Sequence, residues 1–588
     1  MKFARLVSFF GELESTSSRN KMVGILAELF KEAGAEDIDR IVYLCQGRLV
    51  PFYEPLEFGI GENLIAESLA KAIGTDRKEV KALFSRLGDY GLVAADKLPQ
   101  QGHGLEVLHV YEQLWRIATA GGSGSVAQKT DLLADLLSRL SAEEGKHLLR
   151  IVLGKLRLGI GDPTIMDGLS YARAGDKSLR KTIERAYNLC SDLGQVAGAF
   201  WKRGVDGLSE ISVQVGKPVR PALAERATSA MNIISRLQKA ATEPKYDGFR
   251  CQVHKNGDVV KVFSRNLEDF SGMFPEIVRA TREQVKHPQA VFEGEAIAYN
   301  PQTGDFFPFQ VTVQRKRKHG IDAMQEKLPL KMMAFDLLYL DGYDYTTEPY
   351  TERRTKLLEV IGPDDVISVA DVLVTADAEE LDAFFADNIQ RGLEGIVAKR
   401  LDAPYQAGAR NFNWIKFKRS YKGQLEDTLD CVVVGYWWGK GMRTQFGIGS
   451  LLTAVYDKDI DKFYTIARLG TGLSELEWVQ MKGLLDAAAV ADKPARLEAI
   501  VKPDVWVEPK YVIEIRADEI TRSPMHTAGR QEGGLGYALR FPRMVNFVRE
   551  DRLPEDATTV KEILEMYEEQ GKRLVSAAES KDEVEGGE

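Results

Sequence analysis

The sequence contains no run of 18 apolar residues, so none of it predicts a membrane-spanning helix. It has only four cysteines, which lie far apart and form no Cys-x-x-Cys pair: Cys45, Cys190, Cys251 and Cys431. This pattern indicates a reduced, cytoplasmic protein without structural zinc. The sequence also lacks an internal repeat and the P-loop pattern Gly-x-x-x-x-Gly-Lys-Ser/Thr. Side chains would therefore have to hold the phosphates of any bound nucleotide.

The chain is long, and its charge is unevenly distributed. At 588 residues it exceeds what one hydrophobic core supports, so about three or four domains are expected. The net charge of −9 argues against a nucleic-acid partner. However, basic clusters occur at 315–318, at 416–422 and among the arginines of 540–552. Local charge therefore leaves a nucleic-acid partner open, whereas the acidic residues 581–588 predict a solvated tail.

The hydrophobic pattern changes twice along the chain. Apolar residues recur at helical spacing in the first part, for example over 20–30 and 130–140. The positive charges within 147–162 are interpreted there as a solvated helical face. After the proline-bounded junction at 216–221 the pattern favours strands, with a hairpin at the Asn-Gly pair 256–257 and further strands at 291–297 and 331–338. From about residue 421 short strands with glycine-rich connections predict a small barrel. An amphipathic helix follows, whose apolar face would contain Val560, Ile563, Leu564 and Tyr567.

These patterns predict a multidomain protein. We divide it into an all-α domain at 1–215, an α+β domain at 216–420, a β-barrel domain with a C-terminal helix at 421–575 and an acidic disordered tail at 576–588.

The stretch Glu243-Pro-Lys-Tyr-Asp-Gly-Phe-Arg250 carries the clearest chemical signal. A nucleophilic lysine needs a fixed position and groups that hold its electrophile. Pro244 stiffens the chain before Lys245, and Arg250 can bind phosphate or ribose oxygens. A Lys-x-Asp-Gly sequence alone occurs by chance in roughly one chain in ten of this length, so further motifs decide its meaning.

Five further motifs follow in order. They are Ser264-Arg-Asn266, Phe292-Glu-Gly-Glu-Ala296, Ala334-Phe-Asp336, Glu394-Gly-Ile-Val-Ala-Lys399 and Trp414-Ile-Lys-Phe-Lys418. With the lysine loop, this series resembles the nucleotidyltransferase motifs of ATP-dependent DNA ligases, and most closely those of the archaeal replicative ligases. Gln46-Gly-Arg48 and residues 153–159 resemble that family's DNA-binding domain, and Leu539-Arg-Phe-Pro-Arg543 resembles its last motif. The resemblance therefore covers nearly the whole chain and implies an ATP-grasp-like nucleotidyltransferase domain followed by an OB-fold.

The resemblance also implies roles for individual residues. Lys245 would attack the α-phosphate of ATP, while Lys416 and Lys418, two apart on a strand and so on one face, would grip that phosphate. The other nucleotide contacts would be Glu243 to the adenine amino group, Phe335 against the base, Arg250 and Arg265 to ribose and phosphate oxygens, Glu295 to the ribose, and Arg410. Considered singly, several of these also fit structural roles: a core position for Phe335, an edge strand for the lysine pair and a solvated loop for Arg410.

Two carboxylates are candidates for a metal site. The resemblance implies that Glu295 and Glu394 lie near a catalytic Mg²⁺, with Mn²⁺ as an alternative, since hard oxygen ligands suit these ions. Ordinary strand-end carboxylates are the alternative interpretation. In the last motif, Arg540, Arg543 and Arg549 would cover the pyrophosphate. The family's Arg-x-Asp-Lys is replaced here by Arg-Glu-Asp-Arg ending at Arg552, which leaves the role of that residue open.

The function implied is ATP-dependent sealing of 5′-phosphate/3′-hydroxyl nicks in double-stranded DNA, during replication, repair and recombination, by a monomer. An RNA ligase or a capping guanylyltransferase is the main alternative, and the long helical domain argues against both. A non-enzymatic nick-binding protein would require a broken motif, and none of the nucleotide-contacting residues is replaced. A sliding clamp stays an open partner, because Gln100-Gln-Gly-His-Gly-Leu105 is too degenerate to count as a clamp-binding peptide.

Overall fold

The computed structural model describes residues 1–302, 304–307, 309–317, 319–362, 366–418, 428–439, 446–517, 519–531, 534–568 and 570. The predicted tail at 576–588 and part of the predicted basic cluster at 416–422 lie outside these residues. The described residues divide into one unit within 1–220 together with 267–269, and a second unit that contains the other described residues from 221 onward. In the described part of the chain, no helix is both long and apolar enough to cross a membrane.

The first unit is helical, as its periodicity predicts. Its helices are α1 (Phe3–Glu14), α2 (Arg19–Glu32), α3 (Ile38–Cys45), α4 (Glu62–Ile73), α5 (Arg77–Leu87), α6 (Tyr90–Lys97), α7 (Val107–Thr119), α8 (Ser125–Ser138), α9 (Ala142–Val152), α10 (Asp162–Ala174), α11 (Arg180–Cys190) and α12 (Leu193–Ser209). The apolar residues of α2 and α8 are largely buried, and a capping box of Ser141 and Glu144 begins α9.

One sequence interpretation in this unit is wrong. Arg150 of α9 does not lie on a solvated face: its guanidinium is 2% exposed and donates to Asp89 at 2.7 Å and to Glu14 at 2.8 Å. A buried cation needs such partners, and these two carboxylates are 61 and 136 residues away in the chain.

The second unit begins with an α+β region. Its strands are β1 (Leu223–Arg226), β2 (Ala240–Lys245), β3 (Phe249–Asn256), β4 (Val259–Ser264), β5 (Gln289–Ala298), β6 (Leu330–Leu340), β7 (Tyr343–Asp344), β8 (Ile367–Val369), β9 (Leu373–Thr375), β10 (Gly395–Arg400) and β11 (Arg410–Lys418). Its helices are α13 (Ala230–Leu237), α14 (Pro275–Gln284), α15 (Phe309–Thr312), α16 (Ile321–Lys327), α17 (Tyr350–Val360) and α18 (Ala378–Gln390). The predicted hairpin at Asn256 joins β3 to β4, and the predicted strands at 291–297 and 331–338 lie within β5 and β6.

These strands form two sheets. The first has the order β1-β11-β10-β2-β9, and the second has the order β4-β3-β5-β6-β7 with β8 paired to β6. Helices α13 and α18 cover the apolar face of the first sheet, where Ile396, Ile415 and Phe417 are buried. The core of the second sheet contains Phe249, Phe292 and their apolar neighbours. The other face of the first sheet is therefore left for polar residues.

The remainder of the second unit is rich in strands. They are β12 (Thr428–Trp437), β13 (Ser450–Asp457), β14 (Lys462–Leu469), β15 (Ala489–Val490), β16 (Leu497–Glu498), β17 (Val505–Arg516), β18 (Glu519–Ser523), β19 (Gly536–Arg540) and β20 (Arg543–Asn546), with helix α19 (Glu475–Ala487) among them. Seven form one sheet and β18 pairs with β19. A helix over 560–568 follows, and Ile563 on its predicted apolar face is buried.

Candidate active site

The first sheet aligns three of the sequence motifs on one face. Strand β10 lies between β11 and β2 and is antiparallel to both. Across these three strands the rows are Lys418–Gly395–Lys245, then Lys416–Val397–Glu243, then Trp414–Lys399–Ala241. Residues two apart on a strand share a face, so all three rows face the same side. Backbone pairing thus places two lysines beside the predicted nucleophile.

Glu394 directly precedes Gly395, the middle residue of the first row. Its carboxylate accepts a hydrogen bond from the Nζ of Lys245 and pairs with the Nζ of Lys418. Burial alone would raise the pKa of the Glu394 carboxyl, but the two lysine charges outweigh it and hold that pKa well below its usual range. A Cβ at Gly395 would lie 2.1 Å from the carbonyl oxygen of Phe417, so only glycine allows β11 to approach this closely.

The second row contains the predicted adenine contact, Glu243, which is 2% exposed. Its carboxylate accepts from the Tyr350 hydroxyl at 2.5 Å and pairs with Lys399 at 2.8 Å and Arg354 at 3.4 Å. Burial lowers the pKa of Lys399, and the charge of Glu243 partly restores it. Lys399 ends one of the sequence motifs but had no role assigned to it, and Tyr350 and Arg354 were not identified, because nothing in the motif pattern marks the neighbours of a buried carboxylate.

Aromatic rings lie beside this carboxylate. The Nζ of Lys399 is 4.8 Å from the ring centroid of Phe335 and 4.3 Å from that of Trp414. The two rings meet edge to face with centroids 6.0 Å apart, and the guanidinium of Arg250 is 5.4 Å from each. Phe335 is only partly buried, which leaves part of its ring available to a base.

The second sheet contributes the two glutamates of the Glu-Gly-Glu motif. Arg250 donates to Glu293 at 2.8 Å and to the carbonyl of Ala222 at 2.7 Å, while its Nε is buried without a partner among the described residues. Glu293 also accepts from the Tyr405 hydroxyl at 2.8 Å. The predicted ribose contact Arg250 is therefore oriented by Glu293, a residue to which the sequence assigned no role.

Glu295 has a different environment. It accepts a hydrogen bond from the backbone N–H of Gly248 at 3.2 Å. Burial raises the pKa of its carboxyl to about 7, against the opposing charges of Lys245 and Arg250, and nearby Asp247 raises it further. A divalent cation beside Glu295 would lower this pKa, because the cation favours the ionised carboxylate.

The chemistry of Glu295 fits Mg²⁺, which binds proteins through one or two carboxylates and completes its shell with water and phosphate oxygens. Glu394, the other predicted ligand, is engaged by two lysines in this structure. Within the residues that the structure describes, no three histidine, cysteine, aspartate or glutamate side chains converge on a metal position. Water or phosphate oxygens would complete the coordination shell of an ion bound there.

Lys416 lies in the second row, and its partly buried amine lies among other charged groups. Burial lowers the pKa of this amine to about 7; Glu562 raises this pKa, whereas Arg410, Lys418 and Arg552 lower it. Arg410 itself donates to Glu562, at the start of the C-terminal helix. The predicted phosphate contacts Lys416, Lys418 and Arg410 thus lie close enough for their charges to interact, and Glu562 offsets part of that positive charge.

The segment that contains the last motif lies against the same region. Arg265 pairs with Asp556 at 3.3 Å, and the Asn266 amide donates to the carbonyl of Glu550 at 3.2 Å. Arg549 and Arg552 both pair with Asp551, and Arg552 is 3.6 Å from Asp430. Arginine at position 552 is therefore accommodated by acidic neighbours. Arg540, 55% exposed, and Arg543 lie on β19 and β20.

Between those two strands stands Phe541, an aromatic residue to which the sequence assigned no role. It is 66% exposed and has a φ of 49°, in the left-handed region that a phenylalanine rarely adopts. The sequence shows that Phe541 lies between Arg540 and Arg543. It does not show that the side chain is exposed or that the backbone is strained.

The sequence indicates a loop near DNA, or a solvated loop, for the basic cluster at 315–318, but its first arginine is buried whereas Arg317 is exposed. Arg315 is 1% exposed, and its guanidinium donates to both carboxylate oxygens of Glu276, at 2.6 and 3.1 Å. Lys316 pairs with Glu550 at 3.4 Å. Lys318 lies outside the described residues.

The structure also accounts for Asp247 and Gly248 of the lysine loop. Asp247 accepts from the backbone N–H of Phe309 at 3.2 Å, which ties the loop to α15. A Cβ at Gly248 would lie 2.4 Å from the carbonyl oxygen of Ala296. Both residues therefore set the path of the loop that carries Lys245.

Comparisons with known proteins match these features along the chain. Residues 2–170 match the family model for the DNA ligase N terminus, residues 221–418 that for the ATP dependent DNA ligase domain, and residues 444–552 that for the ATP dependent DNA ligase C terminal region. A protein described as a probable DNA ligase from Dictyoglomus turgidum is 53% identical over 575 residues, which cover 98% of this chain and 99% of that protein. The DNA ligase of Hyperthermus butylicus is 41% identical over 599 residues, covering 98% of each.

Among solved structures, mycobacterial DNA ligase D complexed with ATP and MES is 25% identical, covers 58% of this chain and 97% of that one, and has a TM-score of 0.34. The two curated relatives and the three family models agree with the resemblance that the motifs indicate. The chain belongs to the family of ATP-dependent DNA ligases.

Proposed function

We propose that this ligase seals nicks between a 5′-phosphate and a 3′-hydroxyl in double-stranded DNA, through a lysyl–AMP and then a DNA–adenylate intermediate. One observation carries the assignment of the nucleophile: Lys245 and Lys418 flank Gly395 on the same face of the sheet, with Glu394 between them. A lysine so fixed, beside cations that can bind a phosphate, is prepared for attack on phosphorus.

The first step forms one bond and breaks another. The Lys245 amine, after loss of a proton, attacks the α-phosphorus of ATP, and the bond to the β-phosphate oxygen breaks to release pyrophosphate. Lys416 and Lys418 would balance the charge on the α-phosphate, with Arg410 as a further contact. AMP then passes to the 5′-phosphate of the nick, and the 3′-hydroxyl displaces AMP to form the phosphodiester. Positioning and charge neutralisation would supply most of the catalysis.

The nucleoside would lie against Glu243 and Lys399 of the other two rows and against residues of the second sheet. Glu243 would accept from the adenine amino group, and Phe335 would stack against the base. Glu295 and Arg250 would hold the ribose, and Arg265 would contact ribose or phosphate oxygens. Glu243 is buried and Arg250 is partly buried, each among defined partners, and this supports these roles because a preorganised site loses little freedom on binding.

We propose that Mg²⁺, or Mn²⁺ in its place, binds near Glu295 and Glu394 together with the phosphates of ATP. Such an ion would offset negative charge on the transferring phosphate. The chain's own contribution would be to orient the carboxylates, since Gly248 fixes one oxygen of Glu295.

The domain proposal follows from the strand and helix order. We assign a helical DNA-binding domain to 1–215, an ATP-grasp-like nucleotidyltransferase domain to 216–420 and an OB-fold with a C-terminal helix to 421–575. The helical and OB-fold domains would hold the duplex through its phosphates, so binding should weaken steeply with salt and ignore base sequence. The exposed, strained Phe541 between arginines is a further candidate contact with DNA.

We further propose that the protein acts as a monomer in the cytoplasm. All four cysteines are free and buried, which suits a reducing compartment. A sliding clamp is retained as a candidate partner to be tested by direct binding, with no peptide of this chain assigned to it.

The nucleophile is tested by Lys245→Ala. We expect the variant to form no enzyme–AMP from α-labelled ATP and yet to seal a nick that already carries AMP on its 5′-phosphate. Lys261→Ala, which changes an exposed lysine on β4, should retain both reactions. Normal labelling of the Lys245→Ala protein would refute the assignment.

The nucleotide donor is tested separately. Nick sealing should be measured with ATP, ADP, GTP and NAD in parallel, each with magnesium and with manganese. Sealing with ATP and not with GTP is the expected result, and preference for GTP would favour a capping-type nucleotidyltransferase.

A further inference from the structure

The carboxylate of Glu243 is surrounded by more donors than its proposed contact with adenine requires. Oε1 accepts from the Tyr350 hydroxyl at 2.5 Å and from Nη1 of Arg354 at 3.4 Å, and Oε2 pairs with the Nζ of Lys399 at 2.8 Å. An ionised carboxylate has about four acceptor positions. Partners among the described residues use three, so one remains, on the oxygen that Lys399 holds.

These donors are held rigidly in their turn. Tyr350 is 2% exposed at the start of α17, and Arg354, one helical turn later, also donates to the carbonyl of Ala370 at 2.6 Å. Lys399 is 1% exposed and donates to the carbonyl of Phe335 at 2.9 Å. The carboxylate therefore has little freedom to rotate or to move its remaining acceptor position.

We propose that Tyr350, Arg354 and Lys399 are positioning residues that determine the choice of purine, by leaving Glu243 one acceptor position that only a 6-amino group can satisfy. This rests on the proposed contact between Glu243 and the base. A hypoxanthine or guanine base presents the O6 acceptor at that place, so two acceptors would face each other in a buried site. A purine without a 6-substituent leaves the acceptor unpaired, which also carries a penalty.

The size of the effect follows from the kind of bond. A hydrogen bond to a buried charged acceptor is worth about tenfold to a hundredfold in binding. Site groups left without partners are what make such discrimination large, as in other enzymes that select a substrate by one hydrogen bond. The Tyr350 hydroxyl is buried, uncharged and hydrogen-bonded to Glu243, so it contributes by orienting that carboxylate.

The test compares ATP with purine riboside 5′-triphosphate, which differs only in lacking the 6-amino group, and with ITP. Formation of enzyme–nucleotide is measured for each under subsaturating conditions, in the full-length wild type, Tyr350→Phe and Arg354→Gln. The matched control is Tyr456→Phe on β13: Tyr456 is also 2% exposed, and its hydroxyl donates to Asp461 at 2.8 Å, far from the lysine loop in sequence.

In the wild type we expect ATP to react at least about tenfold faster than purine riboside triphosphate. Tyr350→Phe should slow formation of enzyme–nucleotide from ATP and leave the rate with the analogue unchanged. The ratio of the two rates should therefore fall at least about fivefold. Arg354→Gln should lower the same ratio. Tyr456→Phe should keep the wild-type ratio. If Tyr350 had a purely structural role, Tyr350→Phe would slow the reactions of both nucleotides equally. That result would overturn the proposal.

The contact with adenine and the positioning of Glu243 can fail separately. A wild-type ratio near one would refute the contact between Glu243 and the amino group, and with it the proposal. A large wild-type ratio that Tyr350→Phe and Arg354→Gln both preserve would leave that contact standing and overturn the role of the positioning residues.

Discussion

The carboxylate of Glu394 accepts a hydrogen bond from the Nζ of Lys245, although 149 residues separate them in the chain. The contact arises because β2 and β10 are adjacent and antiparallel, with Lys245 paired to the glycine that follows Glu394. The same carboxylate reaches Lys418 on the other side. The proposed nucleophile Lys245 is thus oriented by a carboxylate that it shares with Lys418, a proposed phosphate ligand.

Replacing Glu394 should therefore affect reaction more than binding. Glu394→Gln keeps the size of the side chain but loses the charge that aligns both lysines. We expect enzyme–AMP formation at saturating ATP to slow by about a hundredfold, since small misplacements of a reacting group have effects of that order. Single-turnover labelling with α-labelled ATP measures it. Glu359→Gln, at an exposed residue paired with Lys356, is the control, and a Glu394→Gln rate within about threefold of wild type would contradict the prediction.

The Glu295 carboxyl should make stability depend on pH. Its pKa in the folded protein is about 7, above its usual value, so the folded state binds the proton more tightly than the unfolded state does. This contribution is fully present below about pH 4.5 and is lost as pH rises through about 7. Glu295→Gln stays neutral, so it should match wild type near pH 4.5 and exceed it by up to about 3 kcal/mol at pH 8.

Denaturant unfolding without divalent metal, at pH 5 and pH 8, measures this difference. Glu326→Gln, at an exposed residue of α16, should show no pH-dependent gain. Equal effects of Glu295→Gln at the two pH values would contradict the raised pKa.

Binding of ATP should draw a proton onto Lys416. Burial lowers the pKa of its amine to about 7, so at pH 7.5 much of it is neutral before nucleotide binds. A phosphate anion beside it favours the charged form, and binding should take up a fraction of a proton. Titration calorimetry in two buffers of different ionisation enthalpy, on the Lys245→Ala protein, measures this uptake. Adding Lys416→Arg should remove most of it, because arginine stays charged. Lys510→Arg at an exposed position should not, and unchanged uptake with Lys416→Arg would refute the prediction.

Gly248 should tolerate no side chain. The added methyl of Gly248→Ala would meet the carbonyl oxygen of Ala296 at 2.4 Å, so the loop that carries Lys245 would have to shift. We expect a loss of about 1–3 kcal/mol in stability and at least a roughly tenfold slower formation of enzyme–AMP. Gly272→Ala is matched, since its added methyl would have nothing within 4 Å among the described residues and its φ is not positive. Thermal unfolding and single-turnover labelling separate the two effects, and wild-type labelling by Gly248→Ala would show that the loop does not need this glycine.

Local pattern predicted much of this structure because local forces decide it. Apolar spacing located α2 and α8, and the Asn-Gly pair at 256–257 located the β3–β4 hairpin. What pattern could not predict was pairing between distant charges. Arg150 and Arg315 look like surface cations in the sequence, and each is buried because a carboxylate far along the chain meets it.

The candidate site divides in the same way. Motif order pointed to Lys245, Lys416 and Lys418, whose arrangement on one sheet face follows from strand spacing. The partners of Glu243 were not predictable, since Tyr350 and Arg354 belong to a helix that only the tertiary fold brings to β2. The ion pairs of Glu394 with two lysines likewise depend on which strands are adjacent in the sheet. The sequence motifs do not predict that order.

The three-row alignment across β11, β10 and β2 has an evolutionary consequence. Hydrogen bonds between the strands hold the rows, so the positions of the lysines do not depend on the length of the connections between these strands. One residue inserted inside β10, by contrast, would turn Lys399 toward the apolar layer formed with α13 and α18 and bury its charge there unpaired. Length changes among ligases of this kind should therefore accumulate between these strands and be absent within them.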